Sequence, residues 1–242
     1  MKRFCALALA ILLIAAMTAC GSRQSEENTS AQEGSGDITE GWELPAEARE
    51  AILPEEARNA FEKAFDGFTG SDVVPVAYLG QQVVAGTNYM ILCRFTTVTQ
   101  EPVSSYQIVV IYADLEGNAE ILNMSDFEIA SFTDGEGAGG QEMLSGGWYV
   151  PEDYTTAGLP DEVQSAYDAA METFTGTVLL TPAAYLGSQL VSGMNYAILC
   201  ECELGVPDAA KSFAVLTVYQ DLEGNAQVTN MYTLDLGALI QE

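Results

Sequence analysis

Cys93, Cys200 and Cys202 are the side chains in the body of this chain best suited to nucleophilic chemistry. A thiol attacks only as its thiolate, and a neighbouring histidine or cation normally produces that form. The sequence contains no histidine. Ser-His-Asp and Cys-His machinery are therefore excluded, as are imidazole metal sites. Carboxylates are abundant, 35 against 8 lysines and arginines, yet none falls in the spacing of an EF-hand calcium loop. The expectation is a protein that is not an enzyme and uses no cofactor or metal. The net charge of −27 repels phosphate, so nucleic acid is excluded as a partner.

The positioning elements are written twice. QQVVAGTNYMILCRF runs from Gln81 to Phe95, and SQLVSGMNYAILCEC from Ser188 to Cys202. Tyr78-Leu79-Gly80 matches Tyr185-Leu186-Gly187, Tyr112 matches Tyr219, and Asp114 to Ala119 matches Asp221 to Ala226, all at an offset of 107 residues (78 to 185). Upstream the offset becomes 106 (42 to 148): Gly41-Trp42 matches Gly147-Trp148, and Leu53-Pro54 matches Leu159-Pro160. One residue has been added before Tyr185. A period this long repeats a whole small domain. Domain 1 is read as 41–130 and domain 2 as 147–242, separated by a Gly-rich linker at 131–146.

Within each copy the apolar pattern changes period. Ala57, Ala60, Phe61, Ala64, Phe65 and Phe68 form one helical stripe after Pro54. Val163, Ala166, Tyr167, Ala170, Met171 and Phe174 repeat it. Four strand-like runs follow: Val73 to Val84, Asn88 to Thr97, Tyr106 to Asp114, and Ala119 to about Ile129. One amphipathic helix and four consecutive strands with short connections predict an α+β fold, a helix across a four-stranded antiparallel sheet. Tyr89, Ile91, Cys93 and Phe95 share the strand face expected under the helix; Asn88, Met90, Leu92 and Arg94 share the other. The three cysteines are expected as buried free thiols, since Cys93 and Cys200 belong to separate cores and a bond between Cys200 and Cys202 would be strained. Asp114 to Asn118 and Asp221 to Asn225 read as hairpin turns with a left-handed Gly, in preference to calcium loops. Trp42 and Trp148 fit either a cap on the core or an exposed binding role.

The N-terminus is a leader, not a fold. Lys2 and Arg3 precede an apolar run from Ala6 to Met17, too short for a permanent span. Met17-Thr18-Ala19-Cys20 resembles the lipobox of bacterial lipoproteins. That resemblance implies a signal peptide at 1–19, a diacylated Cys20 and a membrane-anchored protein at the bacterial cell surface. The cell envelope position would be on the outer side of the cytoplasmic membrane, or on the outer membrane. Residues 20–40 are polar and read as a flexible tether.

Gln82-Val83-Val84-Ala85-Gly86, followed by Thr87-Asn88-Tyr89, resembles the QxVxG loop of cystatins, and closely that of stefins. Gln189-Leu190-Val191-Ser192-Gly193, followed by Met194-Asn195-Tyr196, keeps the pattern. The resemblance implies two tandem cystatin-like domains and a monomeric cysteine protease inhibitor. In that family a three-part wedge enters the cleft of a papain-like cysteine protease. The matching parts here are the two QxVxG hairpins, the upstream glycines Gly41 and Gly147, and a later hairpin bearing Leu115 and Glu116, or Leu222 and Glu223. A rigid edge loses little entropy on entering a cleft, so its apolar contacts convert into affinity. Glu116 and Glu223 depart from the family, which carries Pro or Trp there, and they favour a basic cleft. The alternative is a cell-envelope binding module on the same fold that recognises a protein, peptide or glycan without inhibiting anything.

Overall fold

The computed structural model describes residues 42, 53–133, 147–151, 158–205 and 211–240. Cys20, the tether at 20–40, Gly41 and residues 134–146 of the linker lie outside the described residues.

Helix α1 (Glu55–Ala64) starts directly after Pro54, with Glu55 and Glu56 at its positive end and Lys63 in its last turn. Strands β1 (Ser71–Val84), β2 (Gly86–Thr97), β3 (Ser104–Ala113) and β4 (Ala119–Phe127) form one sheet in that order, every pair antiparallel. A short helix α2 (Ala130–Thr133) follows. The second copy repeats this with α3 (Asp161–Thr173) and strands β5 (Val178–Val191), β6 (Gly193–Leu204), β7 (Ser212–Gln220) and β8 (Ala226–Thr233). The α+β reading of two tandem copies, each with one long helix and one four-stranded antiparallel sheet, holds. The inserted residue is absorbed between helix and strand: α3 starts 106 positions after α1 (55 to 161), and β5 starts 107 after β1 (71 to 178). Register shifts repeat too, between Pro75/Ala77 and Tyr78/Gly80 in β1 and between Pro182/Ala184 and Tyr185/Gly187 in β5.

Each helix covers one face of its own sheet. Ala57 and Ala60 pack on Tyr78, Tyr89, Ile91, Cys93, Val109 and Ile111. Val163, Ala166, Tyr167 and Ala170 pack on Tyr196, Ile198, Cys200, Leu216 and Val218. The stripe is shorter than its spacing predicts. Helix α1 ends at Ala64, and Phe68 is left 40% exposed, edge-on to Phe65 and Phe95.

The opposite sheet faces are buried as well, against each other. Leu79, Met90, Leu92, Tyr106 and Ile108 of the first copy share a single cluster with Leu186, Ala197, Leu199, Phe213 and Val215 of the second. These are matched positions at the 107-residue offset, so the joint is a near two-fold one in which the same face is used twice. Trp42 is buried in it and Trp148 is half-buried against it, which gives both tryptophans a packing role. Each fully buried Leu or Ile contributes about 1.5–3 kcal/mol by leaving water. The result is four layers, helix, sheet, sheet, helix. Arg94 is buried in this region and its Nη1 donates to the Pro151 carbonyl of the other copy at 2.8 Å.

Candidate functional site

A β1-β2-β3-β4 meander places the β1–β2 and β3–β4 turns at the same end of the sheet. At the first turn Val84 and Gly86 are still register partners, which leaves Ala85 alone at the bend. Gly86 has φ +141°, and a Cβ there would lie 2.3 Å from the Ala113 carbonyl oxygen and 2.7 Å from the Tyr112 ring. Gly193 repeats this at φ +155°, 2.3 Å from the Gln220 oxygen. The glycines therefore allow each hairpin to lie against its third strand. Tyr112 closes the contact from above, its hydroxyl donating to the Ala85 carbonyl at 2.7 Å. Tyr219 donates to Ser192 at 3.1 Å.

The glutamines also look inward. Gln82 and Asn88 are register partners, and Asn88 Nδ2 donates to Gln82 Oε1 at 2.9 Å. Asn195 and Gln189 make the same bond at 2.9 Å. Gln and Gly of the five-residue motif thus hold the hairpin, and the residues between them form its surface. Val83 is 72% exposed and Leu190 70% exposed; Val84, Ala85 and Ser192 are exposed, and Val191 is half-buried. Apolar side chains are exposed at the opposite end too, Val98 at 74% and Val103 at 64%; what sets the hairpin residues apart is the hydrogen-bonded turn that carries them.

The second turn is built from its own acid. Asp114 N donates to Asn118 O, Gly117 N donates to Asp114 O, and the Asp114 carboxylate accepts from Asn118 N and Nδ2, both at 2.7 Å. Asp221 accepts the same two bonds from Asn225 at 2.8 Å, and a third from Glu223 N at 3.0 Å. The asparagine side chain, then the backbone donors, hold both carboxyl groups below the usual carboxylate range. Gly117 and Gly224 sit at φ +82° and +89°. The carboxylates of Asp114 and Asp221 are satisfied inside the turn, which accounts for the motif without a calcium ion. Leu115 and Leu222, each 84% exposed, stand at the crest beside exposed Glu116 and Glu223.

In the second copy a third segment reaches this end. Tyr149 and Ser188 exchange backbone bonds of 2.8 and 3.1 Å as an antiparallel bridge. Gly147 lies two residues before this bridge, exposed and with open space where a Cβ would be. Leu190, Val191, Ser192, Leu222 and Glu223 belong to the hairpin edge of the second copy, and the bridge at Ser188 brings the segment that carries Gly147 to its base. Val83, Val84, Ala85, Leu115 and Glu116 form the matching edge of the first copy.

Set beside known proteins, the chain matches no family model and no curated protein sequence.

Elsewhere among the described residues there is little competing chemistry. Burial pushes the Cys93 and Cys200 thiols far above the ordinary thiol value, and it pushes Cys202 up to about 11. All three are free and buried, so none serves as a nucleophile at neutral pH. The described cations are each engaged internally: Arg58 with Leu53 O, Lys63 with Gly117 O, Arg94 with Pro151 O and Lys211 with Glu201. Among the described residues no group of three or more Cys, Asp or Glu is placed to hold a metal. Sequence reasoning missed the supporting residues Asn88, Asn195, Tyr112 and Tyr219. Their repetition at one offset was the available signal.

Proposed function

We propose that the protein is an inhibitor of papain-like cysteine proteases on a cystatin-like fold, held at the bacterial cell surface by acylated Cys20. The observation that carries this reading is the convergence of two braced hairpin turns on one end of a sheet. Their crests are apolar: Val83, Val84 and Leu115 in one copy, Leu190 and Leu222 in the other. Such an edge enters a cleft with little loss of conformational freedom. It also presents backbone that is closed by its own hydrogen bonds, which makes it a poor substrate. Gly147, two residues before the Tyr149–Ser188 bridge, is the proposed third part of the wedge in the second copy, and Gly41 matches it in sequence. Glu116 and Glu223 direct the wedge toward a basic cleft rim.

The test is papain inhibition by protein beginning at Gly21, beside a variant with Val83→Asp, Val84→Asp, Leu190→Asp and Val191→Asp together. Three of the four side chains are exposed, so folding should survive, and circular dichroism checks that it does. Inhibition at nanomolar to micromolar concentration, lost in the variant, is the expected result. Folded parent protein that leaves papain untouched at tens of micromolar would refute the reading.

The second reading, a non-inhibitory envelope binding module, draws support from one feature. Asn88 donates to Gln82, Tyr112 donates to the Ala85 carbonyl, and Gly86 leaves room for the third strand, so hairpin architecture alone accounts for the motif.

A further inference from the structure

We infer that the chain is bivalent, with the two hairpin ends able to hold two protease molecules at once. The inference rests on the inhibitor reading and concerns what the joint between the copies leaves free. Duplication does not guarantee two working ends, because packing one copy on another can bury one of them. Here the joint uses the sheet faces that point away from the helices, and it stops short of the turns.

Among the strand residues of the first copy, Met90 and Val110, register partners, are the members of the shared cluster closest to the hairpin end. The next residue on that face of β2 is Asn88, only half-buried and bonded within its own sheet to Gln82. Gly86 lies four residues beyond Met90, so about 13 Å of ribbon, at about 3.3 Å per residue, stands clear of the joint. In the second copy Ala197 occupies the place of Met90, and Asn195, bonded to Gln189, that of Asn88. Gln189 is buried where Gln82 is half-buried, and Tyr149 bridges Ser188 beside it, so the second ribbon is the more covered at its base while its crest stays exposed.

Exposure gives the same answer directly. Leu115 and Leu222 are each 84% exposed, and Val83 and Leu190 are 72% and 70% exposed, with both copies in place. Neither copy shades the other's crest. Each turn is braced from within its own sheet, by Tyr112 or by Tyr219, so occupying one end removes no support from the other. The two sites should therefore fill independently.

The experiment is native mass spectrometry of protein from Gly21 mixed with excess papain carboxymethylated at its active-site thiol. The parent should carry two papain molecules. Val83→Asp with Val84→Asp should carry one, and Leu190→Asp with Val191→Asp should also carry one. A parent that never exceeds one papain overturns bivalency while leaving the inhibitor reading intact. If either paired variant then loses all binding, a single copy is active; if both retain one, the ends exclude each other. A parent that binds no papain overturns both this inference and the reading beneath it.

Discussion

The first hairpin turn of each copy is braced by the same two side-chain bonds, while the face each copy turns toward the other differs. Asn88 to Gln82 and Asn195 to Gln189 are both 2.9 Å, and Tyr112 and Tyr219 bond the equivalent carbonyls. On the inward face Met90 stands opposite in sequence to Ala197, Tyr106 to Phe213, Val110 to Thr217 and Arg94 to Glu201. A tight turn admits few solutions, because its glycine and its hydrogen bonds are fixed by backbone geometry. A packed joint admits many, because volume lost at one position can be supplied from the partner face. The copies have therefore kept one end in common and become two different halves of one core.

The largest effect is expected from forcing the halves to be alike. Arg94→Glu gives the first copy the residue of the second. It places a carboxylate at a buried position facing the Pro151 carbonyl, where an unpaired buried charge costs about 3–5 kcal/mol. Glu201→Arg should cost less, because Glu201 is a partly exposed partner of Lys211 at 2.9 Å. Urea midpoints of the two variants should differ clearly, and equal losses would show that the two positions are equivalent after all.

Next come the glycines. Gly86→Ala and Gly193→Ala each put a methyl group 2.3 Å from a backbone oxygen at a positive φ, and each should cost about 2–3 kcal/mol. A large effect in one copy alone would contradict the identity of the two ends. Tyr112→Phe and Tyr219→Phe remove one hydroxyl bond apiece and should cost about 1 kcal/mol or less. The loss should be larger at Tyr112, whose bond is 2.7 Å against 3.1 Å. The smallest effect belongs to Lys63→Ala. Lys63 Nζ reaches Gly117 O across the surface at 2.5 Å, and its counterpart at the helix offset is Ala169 (63 to 169). About 0.5 kcal/mol is expected, on the scale of exposed charged contacts.

A pH series sharpens the contrast within the cores. Burial raises the thiols of Cys93, Cys200 and Cys202 and the phenols of Tyr78, Tyr106 and Tyr196 above their ordinary values. The folded state then holds protons that the unfolded chain releases. Their stabilisation is complete below the unfolded thiol value of about 8.5 and is lost as pH rises past it. Urea midpoints should be level to about pH 8 and fall by pH 10. Cys200→Ala should flatten the fall.

Much of this plan was legible in the chain. The 3.6 and 2 periods located the helices and strands within a few residues, and the repeated glycine located the turns. The joint was not anticipated, although its signal was present. Tyr89 to Cys93 is an unbroken apolar run in which both alternating faces are apolar, the mark of a sheet covered on both sides. Periodicity shows that a face must be covered but not by what, since the covering residues lie in the other copy. At the candidate site the motif was visible, but the division of labour inside it was not. Gln82 and Gly86 turn inward because Asn88 and the Ala113 carbonyl are there to meet them, and those partners are defined only once the register is known.

The proposed function assigns protease binding to the two hairpin ends. Amide hydrogen exchange of protein from Gly21, with and without carboxymethylated papain, tests it most directly. Added protection is expected at residues 82–87 and 114–118 and at 189–194 and 221–225, with the helices unchanged. Tight binding with protection elsewhere and none at these turns would contradict it.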